Sequence, residues 1–189
     1  MDNDQTWINV TTLGDLIDMK AQRHPDKEAI IFSDQRYTYR DLADYAQHIS
    51  KSLLALGVEP GDRVGYFLEE CVETIAIILG AAKIGAIVAP INSRFKSTEL
   101  RQVIVHAGMK VIFTSTPKSG TDFNKLIQET FPQISESKQK DLNFDEAPEL
   151  NSVVTFDDIV RPGTINISQL NELASGIDNH QVQSRQVGV

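Results

Sequence analysis

Leu56-Gly57-Val58-Glu59-Pro60-Gly61-Asp62-Arg63-Val64-Gly65-Tyr66-Phe67-Leu68 is the stretch that decides the fold, because it passes from helix to strand within one tight loop. Upstream of it, Leu42, Tyr45, Ala46, Ile49, Leu53 and Leu56 recur at spacings of three and four, the stripe of a long amphipathic helix. Gly57 stands where a left-handed C-terminal cap is expected, and Pro60-Gly61 marks the turn. Arg63 to Leu68 then reads as a strand buried on both faces from Val64 to Phe67. Strands of that kind belong to parallel sheets covered by helices on both sides.

The pattern repeats downstream. Glu73 to Lys83 predicts a helix with Ile75, Ile78, Leu79 and Ala82 facing inward, and Gly85 to Pro90 the next strand. Ser97 is the expected cap of a helix carrying Leu100, Val103 and Ile104, and Val111-Ile112-Phe113 is a third strand. Asp122 to Phe131 is the last clear helix, with Phe123, Leu126 and Ile127 inward. Towards the N-terminus, Thr12-Leu13-Gly14-Asp15 has the form of a capping box, and Leu13, Leu16 and Ile17 share one face of a helix. That helix should stop near His24, ahead of Pro25. Ala29 to Phe32 and Arg36 to Thr38 form a small hairpin about Ser33-Asp34-Gln35, and Thr38-Tyr39-Arg40-Asp41 is a second capping box.

Strands alternating with helices through short loops call for a parallel sheet with right-handed crossovers. The expected fold class is therefore α/β, a Rossmann-like layered domain with a mostly parallel sheet flanked by helices. Residues 1–132 carry that subdomain, and residues 133–189 read as a polar connector with little regular structure. Within the connector, Val153-Val154 suggests a short strand, Thr155 to Val160 a short capped turn of helix, and Ile167 to Leu173 a weak periodicity.

Composition excludes several functions. Apolar residues make up 41% and charged residues 23% of the 189, ordinary for a globular protein, and the net charge of −8 argues against nucleic-acid binding. The one cysteine, Cys71, has no internal disulfide partner and reads as a small core residue. Met1-Asp2-Asn3-Asp4 is acidic and unlike a signal peptide. Thr74 to Pro90, the longest greasy run, is too short for a membrane span and carries Lys83 inside it. The expectation is a cytoplasmic protein without nucleic-acid or membrane partners.

The sequence offers few chemical motifs. Thr114-Ser115-Thr116-Pro117-Lys118-Ser119-Gly120-Thr121 has the letters of a phosphate loop in the wrong order, and reads as a turn that caps the next helix through Thr121. Gly80 and Gly85 flank a helix end and a strand start, the reverse of a dinucleotide fingerprint. His24, His48, His106 and His180 are scattered singly and suit surface or helix-end roles. Glu69-Glu70 follows a strand's carboxyl end, a favoured ligand position, yet without a partner motif it reads as a solvated loop.

Five segments in order resemble the N-terminal region of the adenylate-forming superfamily: acyl-CoA synthetases, aryl-CoA ligases, luciferases and peptide-synthetase adenylation domains. They are Ala21 to Ile30 with its Pro25-Asp26-Lys27, Tyr37-Thr38-Tyr39-Arg40-Asp41-Leu42, Leu56 to Val64, Leu79 to Asn92, and Glu99-Leu100 together with His106 to Phe113. The likeness runs from about Thr12 to Thr114. Pro90-Ile91-Asn92-Ser93-Arg94-Phe95 leans towards the acyl-CoA ligases.

The resemblance implies a parent enzyme that activates a carboxylic acid, a fatty acid by base rate, with ATP to an acyl-adenylate and passes it to coenzyme A. It implies ATP, Mg²⁺ and coenzyme A as cofactors of the parent, with none expected to bind this fragment. The matched residues identify the family through its scaffold. The superfamily's phosphate loop and catalytic segments have no counterpart here, so no catalytic, cofactor-binding or metal-ligating residue is assigned, and the fragment is expected to be inactive. Its partners would be the rest of its own polypeptide, with self-association through the exposed truncated face. The alternatives are a non-catalytic association module on the same scaffold, another adenylate-forming ligase, or an unrelated nucleotide-binding α/β protein.

Overall fold

A computed structural model describes residues 12–32, 34–69, 71–116, 120–137 and 142–188. The readings made for Met1 to Asp4, Ser33, Glu70 and Pro117 to Ser119 lie outside the described residues. The elements in chain order are α1 (Leu13–Arg23), β1 (Glu28–Phe32), β2 (Gln35–Thr38), α2 (Tyr39–Ala55), β3 (Arg63–Phe67), α3 (Val72–Lys83) and β4 (Ile87–Pro90). There follow α4 (Ser97–Ala107), β5 (Met109–Thr114), α5 (Phe123–Thr130), a 3-10 turn (Pro132–Glu136), β6 (Ser152–Thr155), β7 (Thr164–Ile165), α6 (Ile167–Ser175) and α7 (Asn179–Gln186).

α1 and α2 start where side chains satisfy orphan amides. Thr12 Oγ1 accepts from Asp15 N at 3.1 Å, and Thr38 and Asp41 form a reciprocal box at the head of α2. Along α2, Leu42, Ala46, Ile49 and Leu53 are buried as their spacing predicts, and Gly57 takes a left-handed φ of 74° beyond its end. β1 and β2 pair antiparallel from Glu28↔Thr38 to Phe32↔Gln35, the expected hairpin.

β3 to β7 form one parallel sheet in the order β4-β3-β5-β6-β7. Its side chains alternate between two cores, as the pleat requires. Val64, Val111, Phe113, Val154 and Ile165 face α2, α3, α6 and α7. Phe67, Ile112 and Val153 face α4 and α5, where Leu100, Ile104, Phe123, Leu126 and Ile127 fill the layer. The expected layered α/β fold is the observed one.

Three local expectations are corrected. The inward face of α3 is Val72, Ala76, Ile77, Gly80, Ala81 and Lys83, while Ile75 is exposed. The helix is apolar almost all round, so periodicity alone cannot choose its face. Close approach to α2 chooses it instead: Ser50 Oγ donates to Gly80 O at 2.9 Å, and a Cβ on Gly80 would lie 2.7 Å from Ala46 O. The α4 N-cap is Lys96 rather than Ser97, its amide bound by Glu99 at 3.1 Å. The α5 cap is Asp122 rather than Thr121, accepting from Lys125 N at 3.0 Å.

The expectation of little regular structure over 133–189 is also overturned. β6 and β7 extend the sheet, with β6 buried throughout, and two capped helices follow. Asn166 with Gln169 and Asp178 with Gln181 form capping boxes. These helices bury little, Leu170 and Ala174 from α6 and Val182 from α7, so their hydrophobic period is faint. Thr155 to Val160 is strand end and loop rather than a turn of helix, because Asp157 binds its own neighbours instead of capping one.

Candidate functional site

In the order β4-β3-β5-β6-β7 the chain first steps to one side of β3 and then returns to the other. The reversal point lies between β3 and β5, and open α/β sheets bind ligands in the crevice outside the strand carboxyl ends at such a point. Residues brought there are Leu68 and Glu69 after β3, Thr114 and Thr116 at the end of β5, Asn124 in the first turn of α5, and Thr155, Asp157 and Arg161 after β6. Glu69 is exposed and points to Gly120, whose φ is 98°: its Oε1 lies 3.8 Å from where a Cβ there would be.

Asp157 organises the polar cluster. Its Oδ2 accepts from Thr116 at 2.9 Å and Thr155 at 3.0 Å, and its Oδ1 from Ile159 N at 3.0 Å and Arg161 Nη1 at 2.7 Å. Arg161 Nη2 also donates to Thr116 Oγ1 at 2.8 Å, and Asn124 Nδ2 to the same oxygen at 3.0 Å. Burial alone would push the Asp157 carboxyl up; the Arg161 guanidinium and the hydroxyl and amide donors outweigh it and hold it below the usual range. Thr114 Oγ1 and Asn124 Oδ1 are buried without a protein partner. The cluster can therefore hydrogen-bond a polar group at this edge. It presents an ion-paired carboxylate and neutral hydroxyls rather than an activated base.

A second buried charge lies on the opposite face. Lys83, 3% exposed, reaches from the last turn of α3 to both carboxylate oxygens of Asp18 on α1, at 2.7 and 2.8 Å. Gln186 of α7 donates through Nε2 to Asp15 Oδ1 at 2.9 Å and Asp18 Oδ2 at 3.1 Å. In the sequence, Lys83 stands out only as a lone cation in an apolar run.

Cys71 is the N-cap residue of α3, half-buried, with Sγ 3.5 Å from Thr74 Oγ1. Burial pushes its thiol up, the opposite of an activated nucleophile. Gly80 and Gly85 are packing and turn positions, Gly85 with a φ of 75°. Among the described residues no group of three or more His, Cys, Asp or Glu is placed to hold a metal ion.

His24 caps α1, His106 lies in the last turn of α4, and His180 in the first turn of α7, the expected helix-end positions. His48 departs from expectation: it sits mid-way along α2, half-buried, with Nε2 unpartnered. Burial lowers its pKa, Asn171 works in the opposite direction, and Lys51 adds to the lowering. The folded state thus binds a proton less readily than the unfolded chain. Stability should be full above the unfolded value of about 6.5 and fall as pH drops through it towards the lower folded value. The urea midpoint is expected to decrease from pH 7.5 to 5.5, and His48→Gln should remove part of that decrease.

The comparisons with known proteins agree with this architecture. The family model described as AMP-binding enzyme matches residues 17–186. Acyl-CoA ligase sidI of Aspergillus fumigatus is 33% identical over 111 residues, covering 58% of this chain and 19% of its own. The mitochondrial medium-chain acyl-CoA ligase ACSF2 of Mus musculus is 26% identical over 177 residues, 93% of this chain and 28% of its own. The N-terminal domain of FACL13 from Mycobacterium tuberculosis superposes with a TM-score of 0.66 at 23% identity, covering 89% of this chain and 37% of that one. The chain thus spans less than a third of the length of these two curated relatives. With the matched stretch running almost end to end through the parallel sheet and its helices, the chain belongs to the AMP-binding enzyme family.

Proposed function

We propose that this chain is the first part of an AMP-forming acyl-CoA synthetase, a ligase that joins a carboxylic acid to coenzyme A through an acyl-adenylate at the expense of ATP. The observation that carries the reading is the family match over residues 17–186, supported by the acyl-CoA ligase names of the relatives. A fatty acid is the proposed acid, with ATP, Mg²⁺ and coenzyme A as cofactors of the longer polypeptide. The groups that perform the chemistry lie outside these 189 residues. No described helix is long and apolar enough to cross a membrane, and the cytoplasm is the proposed location.

The test is acid-dependent ATP–pyrophosphate exchange with the purified chain. Exchange is expected at background for a panel of fatty acids. Robust exchange would place the chemistry inside these residues and overturn the proposal. The reading frame beyond Val189 provides the complementary check: a Thr/Ser-Gly-Thr-Thr-Gly-x-Pro-Lys-Gly loop is expected within a few tens of residues.

A second reading, an association module, is favoured by Ile159 and Val160, which are 55% and 75% exposed on the loop braced by Asp157. Apolar side chains displayed on a rigid loop are a feature of interfaces. Sedimentation separates the two readings, since a chain that remains monomeric at high concentration counts against the module.

A further inference from the structure

We infer that α7 is a detachable strap, and that its seating is sensed by α1 through the Gln186 side chain. This inference is independent of the proposed enzymatic reading.

An isolated helix of this length is not stable in water, so α7 owes its order to docking. Its docking is sparse. Val182 is its one buried residue, fully enclosed in the core shared with α2, α3 and α6. α2, by comparison, buries Leu42, Ala46, Ile49, Ser50, Ser52 and Leu53. The remaining ties of α7 are polar and peripheral. Arg185 pairs with both oxygens of Glu59, which is largely exposed, and such pairs contribute little. Asn179 accepts from Gln47 at 3.4 Å.

Between α7 and α1 lies an open cleft of about 350 Å³, walled by Asp18, Ala21 and Gln22 on one side and Asn179, Gln183 and Gln186 on the other, with Gln47 and Lys83 at its floor. α7 therefore borders an open cleft along α1 rather than lying flush against that helix. It is held at Val182 and at its two ends.

The end that matters is Gln186. Its two amide hydrogens reach Asp15 Oδ1 and Asp18 Oδ2, and Asp18 is the counter-ion of the buried Lys83. Both aspartates are on α1, separated from Gln186 by 171 and 168 residues. When α7 lifts, Asp15 and Asp18 lose those donors at once and the margin of the Lys83 pair opens to water. The cost is felt by α1, although α7 and α1 bury no apolar side chain in a cluster of their own. Seating of α7 and seating of α1 are thereby coupled through one neutral side chain.

Hydrogen exchange on the full chain tests this, read separately over α1, α5, α7 and β3. Val182→Ala is expected to speed exchange in α7 by about tenfold or more, since a buried side chain anchors it. α1 should accelerate in the same direction while α5 and β3 keep their wild-type rates. Gln186→Ala should speed α1 by about threefold, the scale of one hydrogen-bonding group. In the Gln186→Ala background, adding Val182→Ala should accelerate α7 without further effect on α1.

Unchanged exchange in α7 on Val182→Ala would overturn the strap. Acceleration of α5 and β3 together with α7 would do the same, because α7 would then be part of the global unit. Acceleration of α7 with α1 unmoved, or an α1 response that survives Gln186→Ala, would overturn the coupling.

Discussion

Asp18→Ala should lower the stability of this chain by about 3–5 kcal/mol, measured by urea denaturation at neutral pH, because it leaves the buried Lys83 ammonium without its counter-ion. The side chain of Lys83 is 4% exposed and that of Asp18 32%, so the two ends of the pair are not equivalent. Enclosed except at the edge of the cleft beside α7, an ammonium stripped of its partner stays largely out of water. A carboxylate stripped of its partner already has water on one side and keeps the Gln186 donor. Lys83→Met should therefore cost much less than Asp18→Ala, within about 1–2 kcal/mol, as a fully apolar replacement removes the charge along with the need to solvate it. The aliphatic stem packs closely on Gly14, where an added Cβ would lie 2.8 Å from Lys83 Cγ. Met preserves that volume. If Asp18→Ala and Lys83→Met prove equally costly, the penalty is loss of attraction rather than a stranded charge.

Gly163→Ala is the second change of large expected effect. Gly163 has a φ of 66°, in the left-handed region that costs an L-residue roughly 1–2 kcal/mol. It also lies directly under the 3-10 turn: a Cβ there would fall 1.7 Å from Ile134 O and 2.6 Å from Ile134 C. Those are backbone atoms, so no rotamer change relieves the clash, and overpacking adds about 1–3 kcal/mol. The total expected is about 2–5 kcal/mol in urea denaturation. Gly57→Ala is the control, with a φ of 74° but nothing within 4 Å of its Cβ position. It should show the conformational cost alone. Equal losses at the two sites would mean that the Gly163 turn moves away from Ile134 at little cost.

The division between what could and could not be read from the sequence follows the range of the interactions. The hairpin, the α2 stripe, the Gly57 cap and the strands β3, β4 and β5 are set by residues within a turn or two of each other, and each is legible. α3 was assigned the wrong face because its apolar residues surround it, and the choice is made by Gly80 meeting Ala46 and Ile49 of another helix. β7 and α7 bury so little that they carry no hydrophobic period, and α6 shows only the weak periodicity of Ile167 to Leu173; for the two helices the caps are the clearer signal. The polar cluster at the sheet edge depends on Thr116 meeting Asp157 and Arg161, 41 and 45 residues away. The local part, Asp157 with Thr155, Ile159 N and Arg161, resembles an ordinary turn with a surface pair. Family membership was legible for the same reason as the scaffold: turn glycines and strand starts occur in a fixed order.

The ion pair at the foot of α1 has a consequence for biosynthesis. Asp18 must wait for Lys83, 65 residues later, and for Gln186, 168 residues later, before its partners exist. At about 5–20 residues per second on the ribosome, that is roughly 3–13 s for the first and 8–34 s for the second. During that interval Asp18 emerges without either of those partners. The helix that carries it can pack in full only after α3, one of the two helices it docks on, has cleared the exit tunnel. α1 is thus made well before the partners that secure it.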